Sequence, residues 1–205
     1  MDNQTIYNAA HIISSVGKQL NSMFEHIEEL VQEYAVQFKS TKCNATDKYD
    51  SSRWIVIAET YNFGIIEKRN VTKETIQIGF QVVIYDEYEE NTVANWQPTL
   101  RVLIETGGSE AWDNESFTLH TALKDGYNLV AANKLFAWED GGCREGIFLV
   151  PLAAIANREF LEASIIGPAF KLAGQLAEGA PIDTLTTPEE ACGFSYDGDT
   201  ISFNL

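Results

Sequence analysis

Apolar residues recur every three or four positions through the first forty residues, which is the spacing of a helix with one buried face. At a rise of about 1.5 Å per residue, a helix over residues 5–39 is roughly 50 Å long. A compact chain of this length has a radius of gyration near ~17 Å. The helix must therefore kink, project from the body, or pack against another copy. The stripe has two seams that repeat every seven residues: Ile6, Ile13, Leu20, Ile27 and Tyr34, then Ala9, Val16, Met23 and Leu30.

This apolar stripe predicts self-association, because an apolar face of that length needs cover. Gly17 lies inside the stripe and is the predicted position of a kink, since glycine costs a helix about 1 kcal/mol relative to alanine. The expected assembly is a homodimer. The residues expected at the contact between two copies are Ile6, Ile13, Leu20, Phe24, Ile27 and Val31.

The periodicity changes to that of strands between Trp54 and Pro151. Residues 75–85 place Ile76, Ile78 and Phe80 on one face and two glutamines on the other, which predicts a strand with one buried face. The connections are too short for crossover helices, so the sheet should be mainly antiparallel. Further strands are predicted over residues 54–58, 64–68, 100–106, 127–131, 134–138 and 146–150, with turns at 62–64 and 139–142 and a loop over 40–52.

After Pro151 the pattern predicts two helices and a hairpin. Asn157 is the expected N-cap of a helix over residues 158–166. Gly167-Pro168 should break or kink the path before a second helix over 169–178, and Asp197-Gly198 predicts a tight hairpin turn. The predicted fold is a single α+β domain over residues 1–205. It consists of a long N-terminal helical segment (1–40) packed on a mainly antiparallel β-meander (53–150), C-terminal helices (151–180) and a closing β-hairpin (193–204).

The composition is strongly acidic, with 30 acidic and 14 basic residues and a formal net charge of −16. Such a surface repels phosphate, so direct nucleic acid binding is not expected, whereas a basic protein partner is favoured. No apolar run approaches the ~20 residues of a membrane span, and the first residues do not form a secretion signal. We therefore expect a cytoplasmic protein without membrane contact. Cys43, Cys143 and Cys192 are far apart, which favours free thiols in a reducing compartment.

The nearest approach to a catalytic motif is the nucleophile-elbow-like segment Gly107–Ala111. In a hydrolase of that kind Ser109 would attack, His120 would act as the base and Asp113 would orient it. The short spacing to His120 and the antiparallel sheet favour a glycine-rich hairpin turn instead. A metal-dependent nuclease could use Asp86 and Glu105, but no lysine has an acidic residue two positions before it. The usual nucleotide, zinc and calcium motifs are absent, so neither a cofactor nor a metal is predicted.

An acidic run follows the strand over residues 75–85, and it is the predicted site for a basic partner. The run consists of Asp86, Glu87, Tyr88, Glu89 and Glu90. Its charge could instead keep a sheet edge from pairing with other chains. The leading hypothesis is a non-enzymatic acidic protein-binding module of inhibitor, chaperone-like or nucleic-acid-mimic type that recognises a basic partner. The alternative is a hydrolase, serine or metal-dependent, whose site is assembled from dispersed residues.

Overall fold

The structure is a computed structural model that describes residues 3–35, 44–49, 56–64, 75–84, 87–107, 119–123, 126–197 and 200–204. The helices are α1 (Asn3–Ala35), α2 (Glu87–Thr92), α3 (Leu119–Ala122), α4 (Arg158–Leu161) and α5 (Gly167–Ala177). The strands are β1 (Asn44–Tyr49), β2 (Val56–Gly64), β3 (Thr75–Val83), β4 (Val93–Ala94), β5 (Thr99–Thr106), β6 (Asn128–Val130), β7 (Leu135–Asp140), β8 (Cys143–Pro151), β9 (Gly193–Tyr196) and β10 (Ile201–Asn204). A π-helical segment, Glu162–Ile166, joins α4 to α5, and single 3-10 turns occupy Leu152–Ala154 and Ile182–Thr184.

Two sheets organise these strands. The larger sheet has the order β1-β2-β3-β5-β8-β7-β6, and every neighbouring pair is antiparallel. The smaller sheet has the order β4-β10-β9, in which β10 is antiparallel to β9 and parallel to β4. The predicted α+β class, the mainly antiparallel sheet and the closing hairpin are confirmed.

The seven-stranded sheet is covered on both faces at its centre, and all eight residues of β5 are buried. One face packs against α1, α4 and α5 through residues such as Ile27 and Phe80. The other face packs against the small sheet, where Phe136 and Phe194 meet edge to face at 5.0 Å between ring centroids. The prediction of one buried face for β3 is wrong, because Gln77 on the second face is also buried.

Two local predictions in the first part of the sheet are wrong. Residues 44–49 form β1 inside the predicted loop, where six residues pair with β2. The predicted turn at residues 62–64 lies inside β2, whose Asn62 pairs with Gln77 and whose Gly64 pairs with Thr75. Backbone pairing along a neighbouring strand overrides the turn preference of asparagine and glycine. Residues 65–68 of the predicted next strand lie outside the described residues.

The first helix is continuous over 33 residues, about 50 Å in length. The predicted kink at Gly17 is therefore wrong, and among the described residues a Cβ at that position would meet no heavy atom within 4 Å outside the helix's own backbone. Nothing packs closely enough there to bend the helix. From Leu20 onward one face of α1 is buried, whereas the described side chains before Val16 are exposed. The helix thus projects from the core.

The C-terminal helices differ from the prediction at one point. Asn157 caps α4 as predicted, because its side-chain oxygen accepts a hydrogen bond from the Phe160 backbone N–H at 2.8 Å. The predicted break at Gly167-Pro168 is wrong, since the helical path continues through the π-helical segment. A wider π turn leaves room for the Pro168 ring, which in a regular helix would meet the carbonyl one turn earlier.

Candidate functional site

The N-terminal part of α1, residues 4–15, stands clear of the core, and we call it the α1 tip. Ile6 is 53% exposed, Tyr7 64% and Ile12 62%. Among the other large apolar side chains in the described part of the chain, only Tyr196 is similarly exposed. Single exposed apolar residues are ordinary. At 3.6 residues per turn, Ile6 and Ile12 flank the side of α1 that is buried from Leu20 onward, and such a pair can mark a contact surface. Tyr7 lies on the opposite side, with its ring centroid 6.4 Å from that of His11.

The α1 tip is also the uncharged end of an acidic protein. Residues 3–22 contain no Asp or Glu, and their one fully charged side chain is Lys18. The next thirteen residues of the helix contain four glutamates. A negatively charged surface that approaches the tip is therefore repelled less than one that approaches the protein elsewhere.

The structure divides the predicted self-association residues into two groups. Four of the six, Leu20, Phe24, Ile27 and Val31, are buried in the protein's own core. Their assignment to a contact between copies is wrong, because α4, α5 and the sheet already cover them. Ile6 is exposed as that prediction requires, and the side chain of Ile13 lies outside the described part.

A groove of about 540 Å³ opens beside α1 at the base of the tip. One wall comes from α1, with Val16, Gln19 and Met23, and the opposite wall includes Leu152 and Ile155. The walls combine apolar side chains with the polar side chains of Gln19, Ser22, His26, Asn157 and Arg158. Because side chains four and seven positions apart share one side of a helix, Ile12 lies directly above the α1 wall of this groove.

Arg158 at the rim of the groove is neutralised by carboxylates. Its Nη2 lies 2.9 Å from an oxygen of Glu33, its Nε lies 3.8 Å from Glu29, and its Nη1 lies 3.8 Å from Glu162. With three acidic neighbours, this guanidinium adds little attraction for an anionic ligand. The groove therefore suits an apolar, uncharged occupant.

The predicted partner-binding run overlaps the first four residues of α2, and its fourth member, Glu89, is structural. Glu89 is fully buried in an ion pair with Arg101, and its oxygens accept hydrogen bonds from Trp96 Nε1 at 3.2 Å and the Leu119 backbone N–H at 2.7 Å. The assignment of Glu89 to a partner surface is wrong, because a buried carboxylate cannot reach another protein. Glu90 is exposed.

The rest of the run is described only in part. Glu87 and Tyr88 lie on α2, but their side chains are outside the described part, as is Asp86 altogether. The run is thus not a continuous acidic face, since its fourth member points inward.

The serine motif falls largely outside the described residues. Ser109 and Asp113 lie in the segment 108–118 that is not described, and His120 lies on α3 with no described side chain. The strand before the motif, β5, is antiparallel to both of its neighbours. A nucleophile elbow instead follows a strand of a parallel hydrolase sheet, so the framework around Ser109 differs from that of such enzymes.

Three side chains of the metal-ligating type meet on the second face of the sheet: Glu105 on β5, with Cys143 and Glu145 on β8. One donor atom from each lies within 4.8 Å of the other two. Glu105 and Glu145 are direct cross-strand partners, and the Cys143 thiol donates to Glu105 Oε1 at 3.3 Å. The Tyr127 hydroxyl donates to Glu145, and its ring stacks on Trp138 with centroids 6.3 Å apart.

Burial raises the pKa of all three groups in this cluster. Burial raises the pKa of Glu105, and the hydrogen bond from Cys143 opposes that rise only in part. Burial likewise raises the pKa of Glu145, against the hydrogen bond from Tyr127. Burial, the hydrogen bond to Glu105 and the charges of both glutamates raise the pKa of Cys143 to about 12. A thiol with that pKa is a poor nucleophile near neutral pH.

Two carboxylates and a thiol could ligate a divalent cation, but binding would have to displace the thiol proton. The sequence singled out Glu105 as a conceivable ligand and missed its two neighbours. Cys143 and Glu145 lie far along the chain, and only the pairing of β5 with β8 brings them to Glu105. The one sequence signal for these two residues is their separation by two positions, which places them on the same face of one strand. Asp86, the suggested second carboxylate, lies outside the described part.

No family model matches the chain, and comparisons with curated proteins and with solved structures return no match either. Within the described residues, no helix combines the length and the apolar character needed to cross a bilayer.

Proposed function

We propose that this chain is a non-enzymatic protein-binding module that engages its partner through the α1 tip. The observation that carries the proposal is the exposure of Ile6 and Ile12 on a helix that extends past its own core. These side chains gain stabilisation only when another surface removes them from water. A partner protein with a matching apolar surface provides that cover.

The magnitude of the gain indicates what the partner must contact. Full burial of an isoleucine side chain contributes about 1.5–3 kcal/mol, so covering the half-exposed Ile6 and Ile12 contributes roughly 2–3 kcal/mol. Association costs ~4–15 kcal/mol in lost translational and rotational freedom. The α1 tip alone therefore supports only weak binding, and a stable complex requires contact with the adjoining groove as well.

The partner surface expected at the α1 tip is apolar and uncharged. The sequence hypothesis of a basic partner depended on the net charge of −16 and on the run 86–90, whose residue Glu89 is already engaged inside the protein. The tip has no carboxylate with which to attract a basic surface. Apolar complementarity, and not charge attraction, is therefore the basis of the proposed recognition.

The test compares what three immobilised proteins retain from an extract of the cells that produce the chain. The tip variant combines Ile6→Ser with Ile12→Ser. The matched control combines Gln4→Ser with His11→Ser, which changes two exposed residues on the other side of the same helix segment. Circular dichroism must show equal helix content in all three proteins.

We expect a defined protein to be retained by the wild type and the control, and to be reduced roughly tenfold or more with the tip variant. Such a reduction corresponds to a loss of about 1.4 kcal/mol or more. Equal retention by all three proteins would refute the proposal, because the tip would then contribute nothing to binding.

A further inference from the structure

We infer that the α1 tip is covered by a second copy of this chain, with the two α1 helices antiparallel and each tip seated beside the groove of the other copy. This inference rests on the proposed function, because it names the partner of the same surface. It is carried by three properties of α1: the spacing of its residues, the position of the groove, and the distribution of its charges.

The spacing makes one side of α1 complementary to itself. Ile12, Val16, Gln19 and Met23 are separated by four, three and four positions, so they form one ridge along the helix. A two-fold axis near Val16 lays Ile12 of each copy beside Gln19 of the other. A symmetric dimer requires such a self-complementary patch, and helix ridges pack together at interaxial distances of about 8–10 Å.

In this register the groove supplies the apolar side chains that face Ile12 of the other copy. Val16, Gln19 and Met23 line the groove, while Ile12 lies on the tip. In the antiparallel arrangement the exposed Ile12 of one copy enters the groove of the other, opposite Leu152 and Ile155. A lipid surface would cover the tip and leave the groove open to water, whereas a second copy covers both.

The charges favour the antiparallel direction. The first turn of α1 has no acidic residue, and it carries the positive end of the helix dipole. The register brings this turn level with the exposed Glu28 and Glu29 of the other copy. A parallel pair would instead set the glutamates of the two helices side by side, where like charges repel.

Crosslinking tests the register. Ile12→Cys and Gln19→Cys replace two exposed residues that are about 10 Å apart along one helix. A bismaleimide whose reach matches the roughly 8–10 Å between packed helix axes is added to each variant and to their mixture. We expect the mixture to form covalent dimer at a several-fold higher yield than either variant alone. Wild-type protein, with its three native cysteines, gives the background.

Light scattering over a concentration series tests whether a second copy of the chain covers the α1 tip. The mean mass of the wild type should rise from 22.9 kDa toward twice that value, whereas the variant with Ile6→Ser and Ile12→Ser should stay at 22.9 kDa. A wild type that remains monomeric throughout would overturn the inference. Self-crosslinking of each single variant at the yield of the mixture would also overturn it, because that result requires parallel helices.

The two proposals fail in different ways. If the wild type is monomeric but its retention of another protein still depends on the α1 tip, the second-copy inference fails and the proposed function stands. Tip-dependent binding of the monomer to phosphatidylcholine vesicles would assign the tip to lipid and overturn both. If the tip variant changes neither mass nor retention, both fail as well.

Discussion

Replacing Glu89 by glutamine distinguishes a structural role for the acidic run from a partner-binding one. Glu89 is fully buried, and Arg101 opposite it is 1% exposed. The same carboxylate accepts hydrogen bonds from Trp96 and from the backbone of Leu119. One side chain thus connects α2 to β5, to the segment before β5 and to α3.

The cost of the substitution follows from what glutamine cannot do. It has a single acceptor oxygen, and its amide group would present N–H donors to groups that are themselves donors. Removing one member of a buried ion pair costs about 3–5 kcal/mol, because the other charge stays buried without compensation. At roughly 2–4 °C per kcal/mol for a domain of this size, Glu89→Gln should lower the Tm by about 6–20 °C.

Thermal unfolding followed by circular dichroism measures the effect, with Glu90→Gln as the matched control. Glu90 is exposed and adjacent, so its change should stay within about 0.5 kcal/mol. Equal Tm values for the two variants would refute the reasoning. A double variant, Glu89→Leu with Arg101→Met, should recover only part of the loss, because it removes both buried charges together but leaves the Trp96 and Leu119 N–H donors without their acceptor.

Two further changes probe the end of β5 that leads into the serine motif. Gly107 has φ +81°, and a Cβ there would collide with the Gly142 carbonyl oxygen, so Gly107→Ala should cost more than ~2 kcal/mol in urea denaturation. Gly179→Ala, at φ +74° in open space, should cost only about 1 kcal/mol, and equal losses would contradict the collision. Because burial raises the pKa of Glu105 above 4.5, folding stability is lost as pH rises through that pKa. Glu105→Gln should therefore be more stable than the wild type at about pH 8 but not at about pH 4, and an equal gain at both would exclude ionisation as the cause. The same variant should speed alkylation of Cys143, measured on its peptide by mass spectrometry, since Glu105 helps to raise the pKa of that thiol to about 12; an unchanged rate would contradict that role.

The elements that could be predicted are those whose signal is local. The seams of α1 and the alternation over residues 75–85 show which side chains share an apolar face, and Asn157 gives a helix cap by its own chemistry. The same patterns do not show how far the protein's own core extends. Ile6 and Leu20 occupy equivalent seam positions, yet only Leu20 is covered.

The candidate sites were harder to predict because they depend on contacts between distant segments. Glu89 and Glu90 are identical residues in one acidic run, and only the position of Arg101 on β5 decides which of them is buried. The polar sequence of β1 has no alternation of apolar and polar residues that would mark it as a strand. Its pairing with β2 uses backbone groups. The cluster of Glu105, Cys143 and Glu145 likewise depends on the register of β5 with β8.

The small sheet has a consequence for the synthesis of the chain. Its strands cover apolar side chains such as Leu103 and Ile147 on the large sheet. The large sheet is complete at Pro151, whereas β10 ends at Asn204, about fifty residues later. At ~5–20 residues per second, a ribosome needs roughly 3–10 s to add that stretch. For those seconds the nascent sheet shows a bare apolar face, so the translation rate between these two points sets how long a chaperone must shield it from aggregation.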